Sequence, residues 1–238
     1  MKSNDASEYF DKPTLVKTCE GLSLCYGDSR ITGNFEKMIP RLTHANLSHE
    51  LSVKACKLKS FDGPITIIDA TAGMGEDALL LAAAGFNVIM FERDEMIASL
   101  LKDTMERAMT NELLKPVVSR MDLVVGDSIP VLKEMSETVE AGDIISANAA
   151  AGIIHPDVVF LDPMFPERQK TGLVKKKFQL IHTLEKPCED EEELLNAAIM
   201  AHPKRIVIKR PLKGPYLAGV KPSYSLEGKA IRYDCIVL

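Results

Sequence analysis

The sequence predicts an α/β fold: a mostly parallel sheet with helices packed on both faces. Three observations predict it. From residue 65 onward, short apolar β-type runs alternate with segments of helical periodicity. The first of these runs reads as a strand buried on both faces, as a parallel sheet requires. The last two runs flank a Glu227-Gly228 turn signal, which predicts a closing antiparallel hairpin.

The elements follow in order. The first 60 residues do not share the alternation. Within them residues 42–59 are expected to form one helix whose apolar face includes Leu47, Leu51 and Ala55, either a cap on the sheet or a substrate-side lid. Residues 65–69 (Ile-Thr-Ile-Ile-Asp) read as a strand and 75–84 as a helix ending at Gly85. A second strand covers 87–91. A long helix follows over 94–110, with Ile97, Leu100, Leu101 and Met105 on one face. Strands are expected at 122–125, 157–161 and 205–209, with helices at 129–135 and 191–201, and β-type runs at 223–226 and 230–238. The chain divides into an extension over 1–60 and a main domain over 61–238.

Composition bounds the function. The 238 residues are 46% hydrophobic and 26% charged, an ordinary globular balance that excludes a disordered or collagen-like chain. The longest apolar stretch, near residues 78–86, is far short of the ~18–20 residues of a membrane span. The N-terminus has no apolar signal core, so a soluble cytoplasmic protein is expected. Five cysteines (Cys19, Cys25, Cys56, Cys188, Cys235) include no C-x-x-C pair, and His155, His182 and His202 show no ligand spacing. No metal is expected, and Cys235 reads as core. The net charge of −5 is an average of unlike parts: residues 1–162 carry 15 basic and 25 acidic side chains, residues 163–238 carry 14 and 9. Phosphate contacts depend on local field, so the total does not exclude a nucleic-acid partner.

In an open α/β sheet ligands sit at the carboxyl ends of the strands. The first strand exits into Asp69-Ala-Thr-Ala-Gly-Met-Gly-Glu-Asp77. Gly73 and Gly75 there allow close backbone approach, and Thr71 lies inside the same turn. The second strand ends at Glu92, placed to accept hydrogen bonds from ribose hydroxyls. The third exits into Gly126-Asp127-Ser128, and the fourth into Asp162-Pro163-Met164-Phe165. Asp127 also reads as a helix cap. Four polar exits at one sheet edge point to a nucleoside cofactor. Gly73-x-Gly75-x-x-Ala78 satisfies a dinucleotide fingerprint, which keeps an NAD(P)-binding oxidoreductase open. Asp69 leading the turn, with Glu76 and Asp77 at the helix start, would repel a pyrophosphate. These acids favour S-adenosyl-L-methionine, which has none, with Asp69 near its amino group.

Asp162-Pro-Met-Phe165 resembles the Asp/Asn-Pro-Pro-Tyr/Phe motif of amino-methyltransferases, with Met164 in place of the second proline. The lone pair of a nucleobase amine is delocalised into its ring. Acceptors on the Asp162 side chain and the Pro163 carbonyl would hold that amine toward a sulfonium methyl while Phe165 stacks on the base.

Together with Glu92-Arg93, the stretch from Leu161 through Arg168-Gln-Lys170 to Leu173-Val-Lys-Lys-Lys177, and Val207-Ile-Lys-Arg-Pro211, these motifs resemble the ribosomal RNA small-subunit methyltransferase J family over residues 65–238. The resemblance implies a Rossmann-like class I methyltransferase fold with a seven-stranded sheet, and methylation of the N2 amine of a guanosine in 16S rRNA. It implies that Glu76, Asp77, Glu92, Arg93, Asp127, Ser128 and Asp162 line the S-adenosyl-L-methionine site. Before the first strand the family carries a His-Arg-Arg-Lys-type stretch, where this chain has Asn46-Leu-Ser-His-Glu-Leu51. That departure leaves another nucleic acid or a smaller molecule open as substrate. Arg168, Lys170, Lys175, Lys176 and Lys177 begin six residues after Asp162 with no acid among them and are expected to grip RNA phosphates, with Lys209, Arg210 and Lys213 extending the patch.

Overall fold

The computed structural model describes residues 9–59, 63–141, 155–163 and 190–238. In chain order it runs β1 (Phe10–Thr18), β2 (Gly21–Gly27), β3 (Ser29–Thr32), a 3-10 segment (Phe35–Leu42), α1 (His44–Leu47), α2 (Leu51–Cys56), β4 (Thr66–Asp69), α3 (Glu76–Ala83), β5 (Asn87–Glu92) and α4 (Glu95–Ala108). It continues through α5 (Lys115–Val118), β6 (Met121–Val125), α6 (Ser128–Ala141), β7 (Val158–Leu161), α7 (Glu191–Met200), β8 (Arg205–Pro211), β9 (Tyr224–Glu227) and β10 (Ile231–Val237).

Seven strands form the main sheet in the order β6-β5-β4-β7-β8-β10-β9. Pairings among β6, β5, β4, β7 and β8 are parallel, and β10 runs antiparallel to both β8 and β9. The chain winds outward from β4 through β5 to β6, then returns to the other side of β4 at β7. That reversal is the switch point at which open α/β sheets bind ligands.

Strand periodicity explains the layering, because alternate residues face opposite sides. Ile67, Phe160 and Val207 join a core under α3 with Leu79 and Leu81. Ile68, Val159, Leu161, Ile206 and Ile208 join the other core, under α6 and α7, with Leu132, Leu194 and Leu195. Both β4 and β7 are buried throughout, as central strands should be. At the start of α4 the Asp94 carboxylate accepts from the Met96 and Ile97 N–H groups at 2.9 and 3.0 Å, a side-chain cap. Cys235 is fully buried in β10. Among the described residues no helix is long and apolar enough to cross a membrane.

The N-terminal region departs from expectation in two ways. Residues 10–32 form an antiparallel meander, β1-β2-β3, which packs on α4 through Leu24, Ile31 and Leu100. Asp103 of α4 fastens it, accepting from Lys17 Nζ, from the Leu22 N–H at 3.0 Å and from Arg107 Nε at 2.7 Å. The single helix expected over 42–59 is two short ones, α1 and α2. Glu50 between them is extended (ψ 124°), and its carboxylate is held by both arms of Arg41 at 3.0 Å. The break lets Leu47 and Val53 both bury.

Candidate functional site

The turn after β4 is the hub of the sheet edge. Its backbone extends the ladder: Ala70 N–H donates to the Phe160 carbonyl at 3.0 Å and Ala72 N–H to the Phe91 carbonyl at 2.9 Å. The other three exits then fasten to it, two through side chains and one through its backbone. Glu92, at the end of β5, accepts the Gly73 N–H at 2.8 Å on one oxygen and the Asp94 N–H at 2.8 Å on the other. Ser128, at the start of α6, donates to the Ala70 carbonyl at 3.0 Å. The Asp162 N–H, beyond β7, donates to Thr71 Oγ1 at 2.6 Å. Asp69 itself is 2% exposed and accepts the Thr71 N–H at 3.2 Å.

The two glycines of the turn do different work. Both adopt positive φ, +53° at Gly73 and +72° at Gly75. A Cβ on Gly75 would lie 2.6 Å from Leu101 Cδ1 and 3.3 Å from Phe35 Cζ, so this glycine lets α3 seat against α4. A Cβ on Gly73 would meet nothing within 4 Å, so this one faces open space beside Glu92.

The electrostatics are dominated by acids. Burial pushes Asp69 up to about 8, against the Thr71 N–H that favours its charged form. Burial also raises Glu92, opposed by the Asp94 and Gly73 N–H groups, and raises Asp162, opposed by Lys209. Lys209 Nζ lies 2.6 Å from Asp77 Oδ2 and 2.7 Å from Asp162 Oδ2. Burial would depress its ammonium, but Asp162 and Asp77 outweigh that and hold it above its ordinary range. An edge bearing Asp69, Asp77, Glu92 and Asp162, with one lysine between Asp77 and Asp162, suits a cationic nucleoside and opposes a pyrophosphate. Open space at Gly73 gives such a ligand room against the backbone.

Other expected residues take more ordinary places. Glu76 is exposed on the first turn of α3. Arg93 is half-exposed and pairs with Asp190 at 3.0 Å, tying the end of β5 to the start of α7. Asp127 accepts the Ile129 N–H at 2.9 Å, the capping role foreseen for it. Pro163 is buried. Phe165, Arg168, Lys170, Lys175, Lys176 and Lys177 lie outside the described residues.

One assignment is corrected. Lys209 and Arg210 do not extend a surface patch: Lys209 points between two carboxylates. The Arg210 side chain is fully buried, its Nε donating to the Pro215 carbonyl at 2.8 Å beside Glu191. Burial lowers Arg210 to about 10. The signal that would have found Lys209 is register. Leu161 of β7 pairs with Ile208 of β8, so the next residue on each strand, Asp162 and Lys209, must meet.

A family model described as "Putative SAM-dependent methyltransferase" matches residues 14–238. Among curated proteins, the ribosomal RNA small subunit methyltransferase J of Marinobacter nauticus is 38% identical over 83% of this chain and 66% of its own length. The protein of that name from Pseudomonas syringae pv. tomato is 39% identical over 71% of this chain and 57% of its own length. The chain thus spans less than two thirds of these relatives. Among solved structures, a SAM-dependent methyltransferase from Neisseria gonorrhoeae superposes with a TM-score of 0.66 at 27% identity, covering 94% of this chain and 81% of that one.

Proposed function

This chain belongs to the SAM-dependent methyltransferase family, whose cofactor is S-adenosyl-L-methionine, and from that premise we propose that it methylates the exocyclic N2 amine of a guanosine in 16S rRNA. The observation that carries the reading is the placement of Asp162-Pro163. The Asp162 backbone is hydrogen-bonded to the glycine-bearing turn through Thr71, so an amine acceptor sits beside the cofactor turn. The names of the curated relatives support rRNA as the substrate class, and a cytoplasmic site of action is part of the same proposal. A methyltransferase family match disfavours the NAD(P) alternative.

In this reading residues 1–60 are an extension and 61–238 the catalytic domain. Asp69, Thr71, Gly73, Gly75, Glu76, Asp77, Glu92, Arg93, Asp127, Ser128 and Asp162 build the cofactor site. The carboxylates receive its cationic end, and Glu92 receives the ribose with the acceptor capacity its two N–H bonds leave. Bound S-adenosyl-L-methionine supplies an electrophilic methyl group. Asp162 and the Pro163 carbonyl accept hydrogen bonds from the amine and orient its lone pair. Asp162, or water beside it, takes the proton the amine releases. Phe165 stacks on the base, and Arg168, Lys170 and Lys175 to Lys177 bind RNA phosphates.

The test is tritiated methyl transfer into small ribosomal subunits or naked rRNA, with Asp162→Ala beside the wild type. Methylation that disappears in the variant supports the reading; full activity of Asp162→Ala would overturn it. Thermal stabilisation by S-adenosylhomocysteine but not NAD(P) is the matching binding result.

A further inference from the structure

The ion triad Asp77–Lys209–Asp162 crosses from the cofactor side of the site to the substrate side. Asp77 belongs to α3 behind the glycine turn, Lys209 to the end of β8, and Asp162 to the loop leaving β7. The proposed chemistry asks Asp162 for two properties: a charged carboxylate, because a protonated one would donate toward the amine, and a fixed direction. Its surroundings oppose the first. Asp69 of β4, Asp77 of α3 and Tyr233 of β10 face the same space, with Lys209 and Arg210 of β8 as the positive groups. Arg210 is committed to Pro215 and Glu191, whereas Lys209 touches the Asp162 carboxylate itself.

We propose that Lys209 is a positioning residue for methyl transfer, holding Oδ2 of Asp162 so that the carboxylate stays charged and Oδ1 is the oxygen presented to the amine. The inference rests on the methyltransferase reading given above. It follows from three constraints. The two carboxylate oxygens lie on one nitrogen at 2.6 and 2.7 Å, so without Lys209 two like charges would stand close together and one carboxyl would hold its proton. Engagement of Oδ2 fixes the rotation of the Asp162 carboxylate. The Lys209 side chain is 24% exposed and that of Asp162 36%, so the pair reaches the opening of the site while its base is shielded. Asp77 competes for the same ammonium and therefore sets how firmly Asp162 is held.

The experiment compares Lys209→Met, Lys209→Arg and Asp77→Asn with the wild type. Its readouts are kcat and KM for rRNA between pH 5.5 and 9.5, and the Asp162 carboxyl titration by 13C NMR, assigned against Asp162→Asn. In Lys209→Met the Asp162 midpoint and the acidic limb of kcat both rise by at least one pH unit. Its kcat at pH 7 falls at least tenfold while KM for rRNA stays within threefold. Lys209→Arg returns most of the loss, and Asp77→Asn moves the limb the other way. A Lys209→Met variant that keeps the wild-type midpoint and limb overturns the proposal, and so does a loss equal at every pH. If Lys209→Met does not fold, as judged by its melting curve, the opposite displacement in Asp77→Asn and the titration of Lys209→Gln decide instead. Should Asp162→Ala methylate at the wild-type rate, the methyltransfer mechanism falls and Lys209 with it. An inactive Asp162→Ala beside an unshifted Lys209→Met removes Lys209 alone.

Discussion

Gly73 and Gly75, two residues apart in one turn, should fail in opposite ways when each receives a methyl group. In Gly75→Ala the new Cβ would approach Leu101 Cδ1 at 2.6 Å and Phe35 Cζ at 3.3 Å, and Leu101 and Phe35 are 0% and 3% exposed, with little room to yield. A left-handed alanine costs about 1–2 kcal/mol, and overpacking a filled core adds about 1–3 kcal/mol. The total of roughly 2–5 kcal/mol lowers the melting temperature by about 5–15 °C in a chain this size. In Gly73→Ala only the backbone cost arises, about 1–2 kcal/mol, because nothing lies within 4 Å of its Cβ. That Cβ would instead occupy space assigned to the cofactor. Gly73→Ala is therefore expected to melt only about 3–6 °C below the wild type and to bind S-adenosylhomocysteine at least tenfold more weakly. Gly75→Ala loses stability first, and its binding follows from unfolding. Differential scanning calorimetry and isothermal titration calorimetry separate the two. Unchanged ligand affinity in Gly73→Ala would refute the placement of the cofactor against this turn.

Further outcomes follow from the charges. Asp103 is held down at about 2: burial, which alone would raise it, is outweighed by Lys17, Arg107 and the Leu22 N–H. Its contribution of about 2 kcal/mol is present above the unfolded carboxylate value and lost as pH falls through 2. The stability gap to Asp103→Asn in urea melts should narrow between pH 4 and 2, and a constant gap would count against this clamp on the N-terminal sheet. Asp69, raised to about 8, keeps a proton that the unfolded chain releases, so the ligand-free protein should lose stability as pH climbs from about 4 to 8. A cationic ligand draws that proton off. Titrations near pH 7 in buffers of different ionisation enthalpy should register its release, and zero release would remove Asp69 from the cation site. Arg232 is 5% exposed and donates to the carbonyls of Pro211, Leu212 and Gly214 as well as to Asp234. Arg232→Met should cost about 3–5 kcal/mol by stranding the Asp234 charge, and a melting temperature within 2 °C of the wild type would contradict that.

Much of the sheet was readable because parallel strands buried on both faces carry unbroken apolar runs, and because such a sheet sends every strand exit to one edge. The exits at Asp69, Glu92, Asp127 and Asp162 could be read before their contacts were known. The N-terminal meander was not readable, for two physical reasons. Pro13 sits in β1 where its register with β2 shifts, which interrupts the strand pattern. Ser23 is fully buried, satisfied by a 2.6 Å hydrogen bond with Thr32, so a polar residue stands where alternation calls for an apolar one. Lys209 was misread for another reason. Its character depends on a partner 47 residues away, and only the pairing of β7 with β8 brings Asp162 to it.

That misreading changes how the basic C-terminal part should be counted. Lys209 is spent on two carboxylates and Arg210 and Arg232 on internal carbonyls, while Arg205 donates to the Ala55 carbonyl at 2.7 Å and Lys204 pairs with Asp157 at 2.6 Å. Lys213, Lys221 and Lys229 are exposed. Most of the positive charge after residue 200 is therefore structural, and the proposed phosphate contacts remain those of Arg168, Lys170 and Lys175 to Lys177. Each phosphate contact to single-stranded RNA contributes about 0.7 to the slope of log affinity against log salt. Replacing Lys175, Lys176 and Lys177 by Ala should then flatten that slope by up to about 2, with affinity converging on the wild type at high salt. Fluorescence anisotropy with an rRNA fragment between 50 and 300 mM salt measures it. Lys209→Arg in the same titration should leave the slope where it was, since its charge faces inward. A slope untouched by the triple substitution would return that lysine run to the solvated surface and leave RNA recognition to other residues.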